Sequence, residues 1–285
     1  VIVDSLLGTG LSGNLREPYL KIVKLINTSN KDVLAVDMPT GIDGRNGKIM
    51  GEAVQADITA TMAFSKIGHY LYPGRTYTGQ LKIIDLGFPE ELIKTEHYKH
   101  HTLTLKEASE LLPLRSEVGH KGTFGKILVV GGSTGMEGAP AISGKGALRT
   151  GSGLVKVMVP AEINQTVSSF CQELISGKLT TENLKNEMNN YDLIALGPGL
   201  GQGEWQTNLV SMIINNLNKP LVIDADGINN LNLDELKESD NEVLITPHPG
   251  EFAHLIDKSI PEVEDNRIGY VREFATNYQV NVVLK

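Results

Sequence analysis

Short apolar runs rich in Val and Ile recur along this chain, and most of them run out into a glycine- or aspartate-bearing turn. They lie at residues 1–7, 33–37, 57–63 and 81–86, then at 126–131, 154–159, 192–196, 220–224, 242–246 and 281–284. Several are apolar at every position, as strands covered on both faces should be. Helical spacing fills the intervals at residues 19–27, 139–150, 204–216 and 261–277. Such alternation predicts parallel sheets covered by helices. Residues 94–105, Lys-Thr-Glu-His-Tyr-Lys-His-His-Thr-Leu-Thr-Leu, break the rhythm and place a domain boundary, with one domain over 1–95 and another over 103–285. The histidines there, His97, His100 and His101, have no Cys or carboxylate at ligand-like spacing, so the segment reads as a solvated linker.

Charge and composition narrow the function. The formal net charge is -8, which makes a poor nucleic-acid binder. A phosphorylated ligand must then be met locally, by backbone N–H groups and helix N-termini. No apolar run approaches the ~20 residues of a membrane-spanning helix, and no signal peptide is visible. The single cysteine, Cys171, rules out an internal disulfide framework and suits a reducing, cytoplasmic setting. Val1 and Lys285 both fall in strand-like runs. Natural termini rarely cut a buried strand, so the sequence is expected to be truncated at both ends.

Two turns in the first third carry candidate chemistry. Val3-Asp4-Ser5-Leu6-Leu7 runs into Gly8-Thr9-Gly10-Leu11-Ser12-Gly13-Asn14, and Val36-Asp37 runs into Met38-Pro39-Thr40-Gly41-Ile42-Asp43-Gly44. Ligands of doubly wound sheets sit beyond the C-terminal strand ends. Glycines there admit close backbone approach, and Thr9 and Ser12 add hydroxyl donors. The same residues also read as a glycine turn with an Asp that caps a helix. Asp37 and Thr40 beside a second strand end argue for one shared crevice, able to hold a monovalent cation or ribose hydroxyls. His69, with Tyr70 and Tyr72, reads as lining a loop.

The remainder is denser in such signals. Gly119-His120-Lys121-Gly122-Thr123-Phe124-Gly125 leads into a strand, and that strand opens a glycine-rich stretch from Gly131 to Gly153. Mid-helix glycine costs about 1 kcal/mol relative to alanine, so close packing or a ligand must compensate at Gly144 and Gly146. Leu196-Gly197-Pro198-Gly199-Leu200-Gly201 stands between a strand and a helix, the geometry of an anion site at a helix N-terminus. Asp224-Ala225-Asp226-Gly227-Ile228-Asn229 and Thr246-Pro247-His248-Pro249-Gly250-Glu251 follow the next strand ends.

In this order the motifs resemble known families. The first two resemble the N-terminal, Rossmann-like domain of the NAD(P)HX epimerases, which interconvert the epimers of hydrated NADH or NADPH; the resemblance covers residues 1 to about 93. It implies Asp4 as acid/base beside a potassium site shared with Thr40, substrate contacts from Gly8 to Asn14, and a substrate-contacting carboxylate at Asp37. The later motifs resemble the ADP/ATP-dependent NAD(P)HX dehydratases, a ribokinase-like family, over about 103–285. That implies His120, Lys121 and Gly122 at the entrance, and Ala141, Gly201 and His248 on the hydrated dinucleotide. It also implies Asp224, Asn229 and Glu251 around a nucleotide and its magnesium, with Lys285 opening a nucleotide-holding loop.

The fold expected is therefore α/β, a Rossmann-like parallel-sheet half-domain followed by a ribokinase-like doubly wound α/β domain. The expected protein is a bifunctional isomerase and lyase: it epimerises R- and S-NAD(P)HX, then uses ADP to dehydrate the S epimer to NAD(P)H, AMP and phosphate. It is expected to be cytoplasmic and homo-oligomeric. The family's Asn-Asn-Gly-Gly-Asp-Gly-type loop would precede Val1 and its Gly-Thr-Gly-Asp segment would follow Lys285, so this stretch alone is expected to be impaired. Two rivals share the glycine turns: a ribokinase-superfamily kinase for a small alcohol, and a non-catalytic nucleotide-binding protein.

Overall fold

In a computed structural model, residues 1–11, 13–89, 91, 99–115 and 117–285 are described. They form two compact units, Val1–Leu112 and Pro113–Lys285. The division follows the helix Leu105–Glu110, which Thr104 and Glu107 open with a capping box. Ser12 and His97 lie outside the described residues. Among those described, no helix is long and apolar enough to cross a membrane, and no group of three His, Cys, Asp or Glu could hold a metal ion.

The first unit is built on a four-stranded sheet in the order β1-β2-β3-β4. These strands are Ile2–Asp4, Val33–Val36, Ile58–Met62 and Gln80–Ile84, each parallel to its neighbour. Side chains alternate across the sheet. On one face Val33 and Val54 pack with Val23 of the helix Tyr19–Asn27. On the other, Val3, Ile58, Met62 and Ile84 are each more than a third exposed. Asp4, the last residue of β1, pairs with Ala35. Asp37, just past β2, thus lies at the same edge.

The second unit holds a seven-stranded parallel sheet in the order β11-β10-β9-β8-β5-β6-β7. Its strands are β5 Lys126–Val130, β6 Leu154–Val159, β7 Ile175–Lys178, β8 Leu193–Leu196, β9 Leu221–Ile223, β10 Val243–Ile245 and β11 Asn281–Val282. Here both faces are covered. Leu128, Val130, Ile194 and Leu196 face the helix Glu204–Asn216 through Leu209, Val210 and Ile213. Val129, Val155 and Val157 face the other way, toward Ala141 and Val167. The chain winds outward from β5 through β6 and β7, and from β8 through β9, β10 and β11. The order reverses between β5 and β8, where a doubly wound sheet opens its ligand crevice.

One strand was not anticipated, and one expected helix needed correction. β7, Ile-Ser-Gly-Lys, has no apolar run because it is an edge strand. Residues 261–277 are not one helix but two, Ile260–Asp265 and Arg267–Tyr278. Asn266 between them is non-helical at φ -143°, ψ 49°, a residue type whose side chain competes with helical hydrogen bonds.

Candidate active sites at the strand ends

In the first unit Asp4 is 1% exposed and Thr40 is 0% exposed. The Asp4 carboxylate accepts hydrogen bonds from Thr40 N at 2.8 Å, Thr40 Oγ1 at 2.7 Å and Leu6 N at 3.3 Å. Thr40 Oγ1 also accepts from Leu7 N at 3.0 Å and lies 3.2 Å from the Leu7 carbonyl. One side chain thus ties the second motif to the first. Asp4 Oδ1, Thr40 Oγ1 and the Leu7 carbonyl converge as an oxygen-only set, the donor type a hard cation takes.

The loop from Gly8 to Asn14 starts here. A Cβ on Gly8 or Gly10 would meet nothing within 4 Å, and neither has positive φ. Among the described residues, nothing demands glycine at these positions. Thr9 lies over Gly44, whose Cβ would be 3.6 Å from Thr9 Cγ2 and 3.8 Å from Lys66 Cβ. A cleft of roughly 600 Å³ is lined by Leu7, Leu11, Gly13 and Asn14, with Leu15, Arg16 and Tyr19.

Asp37 sits at φ 68°, a conformation Asp tolerates better than most residues. Its Oδ1 accepts from Thr61 Oγ1 at 3.0 Å, from Met62 N at 3.1 Å and from the Lys66 ammonium. Burial pushes the Asp37 carboxyl up, but the bonds from Lys66, Met62 and Thr61 and the Lys66 charge together hold it below the usual range. His69 is 0% exposed. Its Nδ1 accepts from Lys66 N at 3.0 Å, and its Nε2 lies 2.9 Å from the Asp37 carbonyl. A backbone N–H only donates, so Nδ1 is bare and Nε2 carries the hydrogen. Burial, joined by the Lys66 charge, lowers the His69 pKa against the Asp37 carbonyl bond and charge.

In the second unit the two glycine loops interlock beside the point of strand reversal. Gly132 N donates to the Pro198 carbonyl at 2.9 Å and Ser133 Oγ to the Gly199 carbonyl at 2.9 Å. A Cβ on Gly131 would stand 2.4 Å from the Pro198 carbonyl oxygen, so backbone meets backbone there. Gly201 N, expected to face an anion, instead donates to Asp226 Oδ2 at 2.9 Å. Asn230 Nδ2 donates to the Gly201 carbonyl at 2.9 Å, and Thr207 Oγ1 to Asn230 Oδ1 at 3.0 Å. Ala225 takes φ 51° between Asp224 and Asp226, a sparsely populated backbone held by its surroundings.

Asp224 Oδ1 accepts from Lys285 Nζ at 2.7 Å, so β9 and the chain beyond β11 meet at this edge. Asn229 Nδ2 reaches Asp226 Oδ1 at 3.4 Å. His248 caps the helix Pro249–Leu255: its Nδ1 accepts from Gly250 N at 3.0 Å and Glu251 N at 3.2 Å. Glu251 answers by accepting from His248 N at 2.8 Å. The His248 side chain remains 58% exposed, with Nε2 3.4 Å from Glu251 Oε1. Ala141 is packed against Val155 and Val157 in the core. His120 and Lys121 are exposed, and Gly122 N donates to His120 Nδ1 at 3.1 Å. In the helix Gly138–Arg149, Gly144 is required by packing against Leu174 and Val157, whereas Gly146 faces open space.

Sequence reasoning missed Lys66, Asp226 and Asn230. A lysine three residues before a buried histidine was the available signal for Lys66; Asp226 was visible in Asp-Ala-Asp but not its grip on Gly201.

The family model described as NAD(P)H-hydrate dehydratase matches residues 127–285, and that described as YjeF-related protein N-terminus matches residues 1–68. The bifunctional NAD(P)H-hydrate repair enzyme Nnr of Coxiella burnetii is 35% identical over 286 residues, covering 100% of this chain and 58% of that protein. Its counterpart in Escherichia coli (strain K12) is 34% identical, covering 100% of this chain and 55% of that protein. The chain spans little more than half the length of these relatives. Among solved structures, an ADP/ATP-dependent NAD(P)H-hydrate dehydratase from Bacillus subtilis, co-crystallised with ATP/Mg2+, superposes with a TM-score of 0.57 at 28% identity, covering 64% of this chain and 65% of that one. A ribokinase-like superfamily protein from Enterococcus faecalis V583 shares the fold at a TM-score of 0.57 and 22% identity, covering 66% of this chain and 69% of that one. With over half of its length matched, and that half folded as a ribokinase-like doubly wound sheet, the chain belongs to the NAD(P)H-hydrate dehydratase family.

Proposed function

We propose that this chain belongs to an enzyme of two-step repair of hydrated NADH and NADPH, with epimerisation seated in the first unit and ADP-driven dehydration in the second. The observation that carries the reading is the pairing of the two family matches, one on each unit, each with a strand-end site. A small-alcohol kinase would need only the second unit.

In the first unit Asp4 serves as acid/base at the 6-hydroxyl of the substrate: it protonates the hydroxyl as the C6–O bond breaks to leave water and a C6 iminium, and it takes the proton back as water adds to the opposite face of C6. Its hydrogen bonds from Thr40 and Leu6 hold the carboxylate in place. Gly8, Thr9, Gly10, Leu11, Ser12, Gly13 and Asn14 receive the dinucleotide; the open space over Gly8 and Gly10 supports this. Asp37 accepts a substrate hydroxyl on Oδ2, since the bonds above all go to Oδ1. Asp4 and Thr40, with the Leu7 carbonyl, would hold potassium, which supplies positive charge beside Asp4.

In the second unit ADP gives its terminal phosphoryl group to the 6-hydroxyl of the S epimer, releasing AMP. The C6–O bond then breaks with loss of a C5 proton, yielding NAD(P)H and phosphate. Ala141, Gly201 and His248 contact the dinucleotide, and His120, Lys121 and Gly122 form the entrance. Asp224, Asn229, Glu251 and Lys285 surround the nucleotide. Magnesium ordinarily binds through one or two carboxylates plus substrate phosphates. Asp224 suits that role, whereas Glu251 is engaged by the His248 cap; the ion would neutralise phosphate charge. The reading places the enzyme in the cytoplasm, as its single cysteine suits, and as a homo-oligomer, the form most soluble oligomers take.

The test follows NADH absorbance in the near ultraviolet from each epimer of hydrated NADH, with the intact gene product, ADP and magnesium. Recovery from both epimers is expected, with recovery from the R epimer alone lost in Asp4→Asn. No recovery with ADP or ATP would falsify the reading, and a phosphorylated small alcohol accumulating instead would select the kinase.

A further inference from the structure

We infer that Lys66 and His69 are positioning residues of the first site, a clamp that aims one oxygen of Asp37 at the substrate. The inference rests on the reading of Asp37 as a substrate contact. Lys66 spends all three ammonium hydrogens inside the fold: on Asp37 Oδ1, on Thr61 Oγ1 at 2.8 Å and on the Met62 carbonyl at 3.3 Å. It has no donor left for a ligand, so it is not a phosphate-binding lysine. Thr61 and Met62 N crowd the same oxygen. Asp37 Oδ2 is left with no partner among the described residues.

His69 holds the other end. Its Nε2–H fixes the Asp37 carbonyl, and its Nδ1 fixes Lys66 N, so the backbone that sets Asp37 at φ 68° and the backbone that carries the lysine share one imidazole. A carboxylate whose backbone and one oxygen are both fixed presents the second oxygen in a single direction, which is what recognition of a sugar hydroxyl needs. The clamp also lies beside the proposed substrate loop, because Thr9 and the Lys66 stem both cover Gly44.

The test is a double-mutant cycle in the intact gene product, with kcat and KM for the R epimer as readout. Asp37→Asn keeps the left-handed backbone, which Asn also adopts. It is expected to raise KM. Lys66→Met should raise KM about tenfold, the size of one charged hydrogen bond lost, with kcat little changed. Lys66→Arg should restore part of the loss. In the Asp37→Asn background Lys66→Met should add no further factor. His69→Gln, which keeps a donor for the Asp37 carbonyl but shortens the reach, should show the same coupling and stands in should Lys66→Met fail to fold. If Asp37→Asn raises KM while the Lys66 and His69 variants do not, or act equally in both backgrounds, the clamp is refuted and the Asp37 contact survives. If Asp37→Asn changes nothing, the contact itself is wrong and the clamp falls with it.

Discussion

Replacing Thr40 with Val tests whether one hydroxyl joins the two motifs of the first unit. Thr40 is fully buried, and its Oγ1 gives Asp4 Oδ1 a bond of 2.7 Å while accepting one of 3.0 Å from Leu7 N. Val fills nearly the same volume, so packing changes little. The cost is the hydrogen bond to a charged acceptor, about 1.5–3 kcal/mol, plus a Leu7 N–H left without its partner, about 1 kcal/mol or more. The extra buried methyl returns about 1 kcal/mol. The net loss is about 2–3 kcal/mol, which in a unit of this size lowers the melting temperature by roughly 10–15 °C. Thr40→Ser keeps the hydroxyl and should lose only the methyl contribution, about 1 kcal/mol. Thermal melts followed by circular dichroism measure both differences, and turnover of the R epimer should fall in Thr40→Val and not in Thr40→Ser, since only the Val variant leaves Asp4 with fewer donors. A Thr40→Val protein melting within about 3 °C of wild type, the range of a neutral surface change, would refute the claim that this hydroxyl fastens the strand ends together.

Three further outcomes are expected. Burial keeps His69 neutral by pushing its pKa below the ordinary value; stability from this source is full above about pH 6.5 and is lost as pH falls toward the lowered folded value, because the unfolded chain takes the proton first. Melts across that range should slope for wild type and flatten for His69→Gln. Gly197→Ala would put a Cβ 2.0 Å from the Asp224 carbonyl at φ 114°, costing about 3 kcal/mol or more; chemical denaturation should show the second unit weakened. Asp226→Ala frees Gly201 N from its competing carboxylate, and dehydration of the S epimer should show a KM about tenfold lower with epimerisation unaltered.

Much of this fold was legible because parallel strands buried on both faces are apolar at every position. Leu-Ile-Ala-Leu at Leu193–Leu196 and Val-Leu-Ile at Val243–Ile245 announce themselves, and Leu154–Val159 departs from the pattern only at Lys156, which pairs with Glu187. β7 did not: an edge strand has one neighbour and tolerates Ser and Gly. The short helices Thr181–Glu187 and Leu233–Glu238 were equally quiet, though each opens on a side-chain cap, from Thr180 and from Asn232. The candidate sites divide in the same way. Asp4, Asp37 and Thr40 stand at strand ends within recognisable motifs. Lys66 acts on Asp37 from 29 residues away, and no local pattern announces a partner that distant. The N–H of Gly201 was read as open to an anion because the strand–glycine–helix order allows it, whereas the competing acceptor, Asp226, arrives from the next strand end 25 residues later.

That competition changes how a negatively charged chain can meet a phosphorylated substrate. A glycine loop at a helix N-terminus attracts anions through free N–H groups. Here two glycine N–H groups are already engaged by the chain's own carboxylates: Gly201 by Asp226 and Gly135 by Glu137 at 3.0 Å. The backbone bonds from Gly135 N and from Glu137's own N hold the Glu137 carboxyl below its usual range. Lys285 is paired with Asp224 in the same way. An approaching phosphate must therefore displace a carboxylate or arrive with its own counter-charge. On the proposed reading the nucleotide does the latter, coming as a metal complex whose cation relieves the repulsion from Asp224. The hydrated dinucleotide carries less charge on its reacting ring and can meet the loops directly. Dehydration should then depend more steeply on magnesium than on ionic strength. A rate that tracked ionic strength alone would leave the Asp226 and Glu137 contacts as loop fasteners with no bearing on phosphate binding.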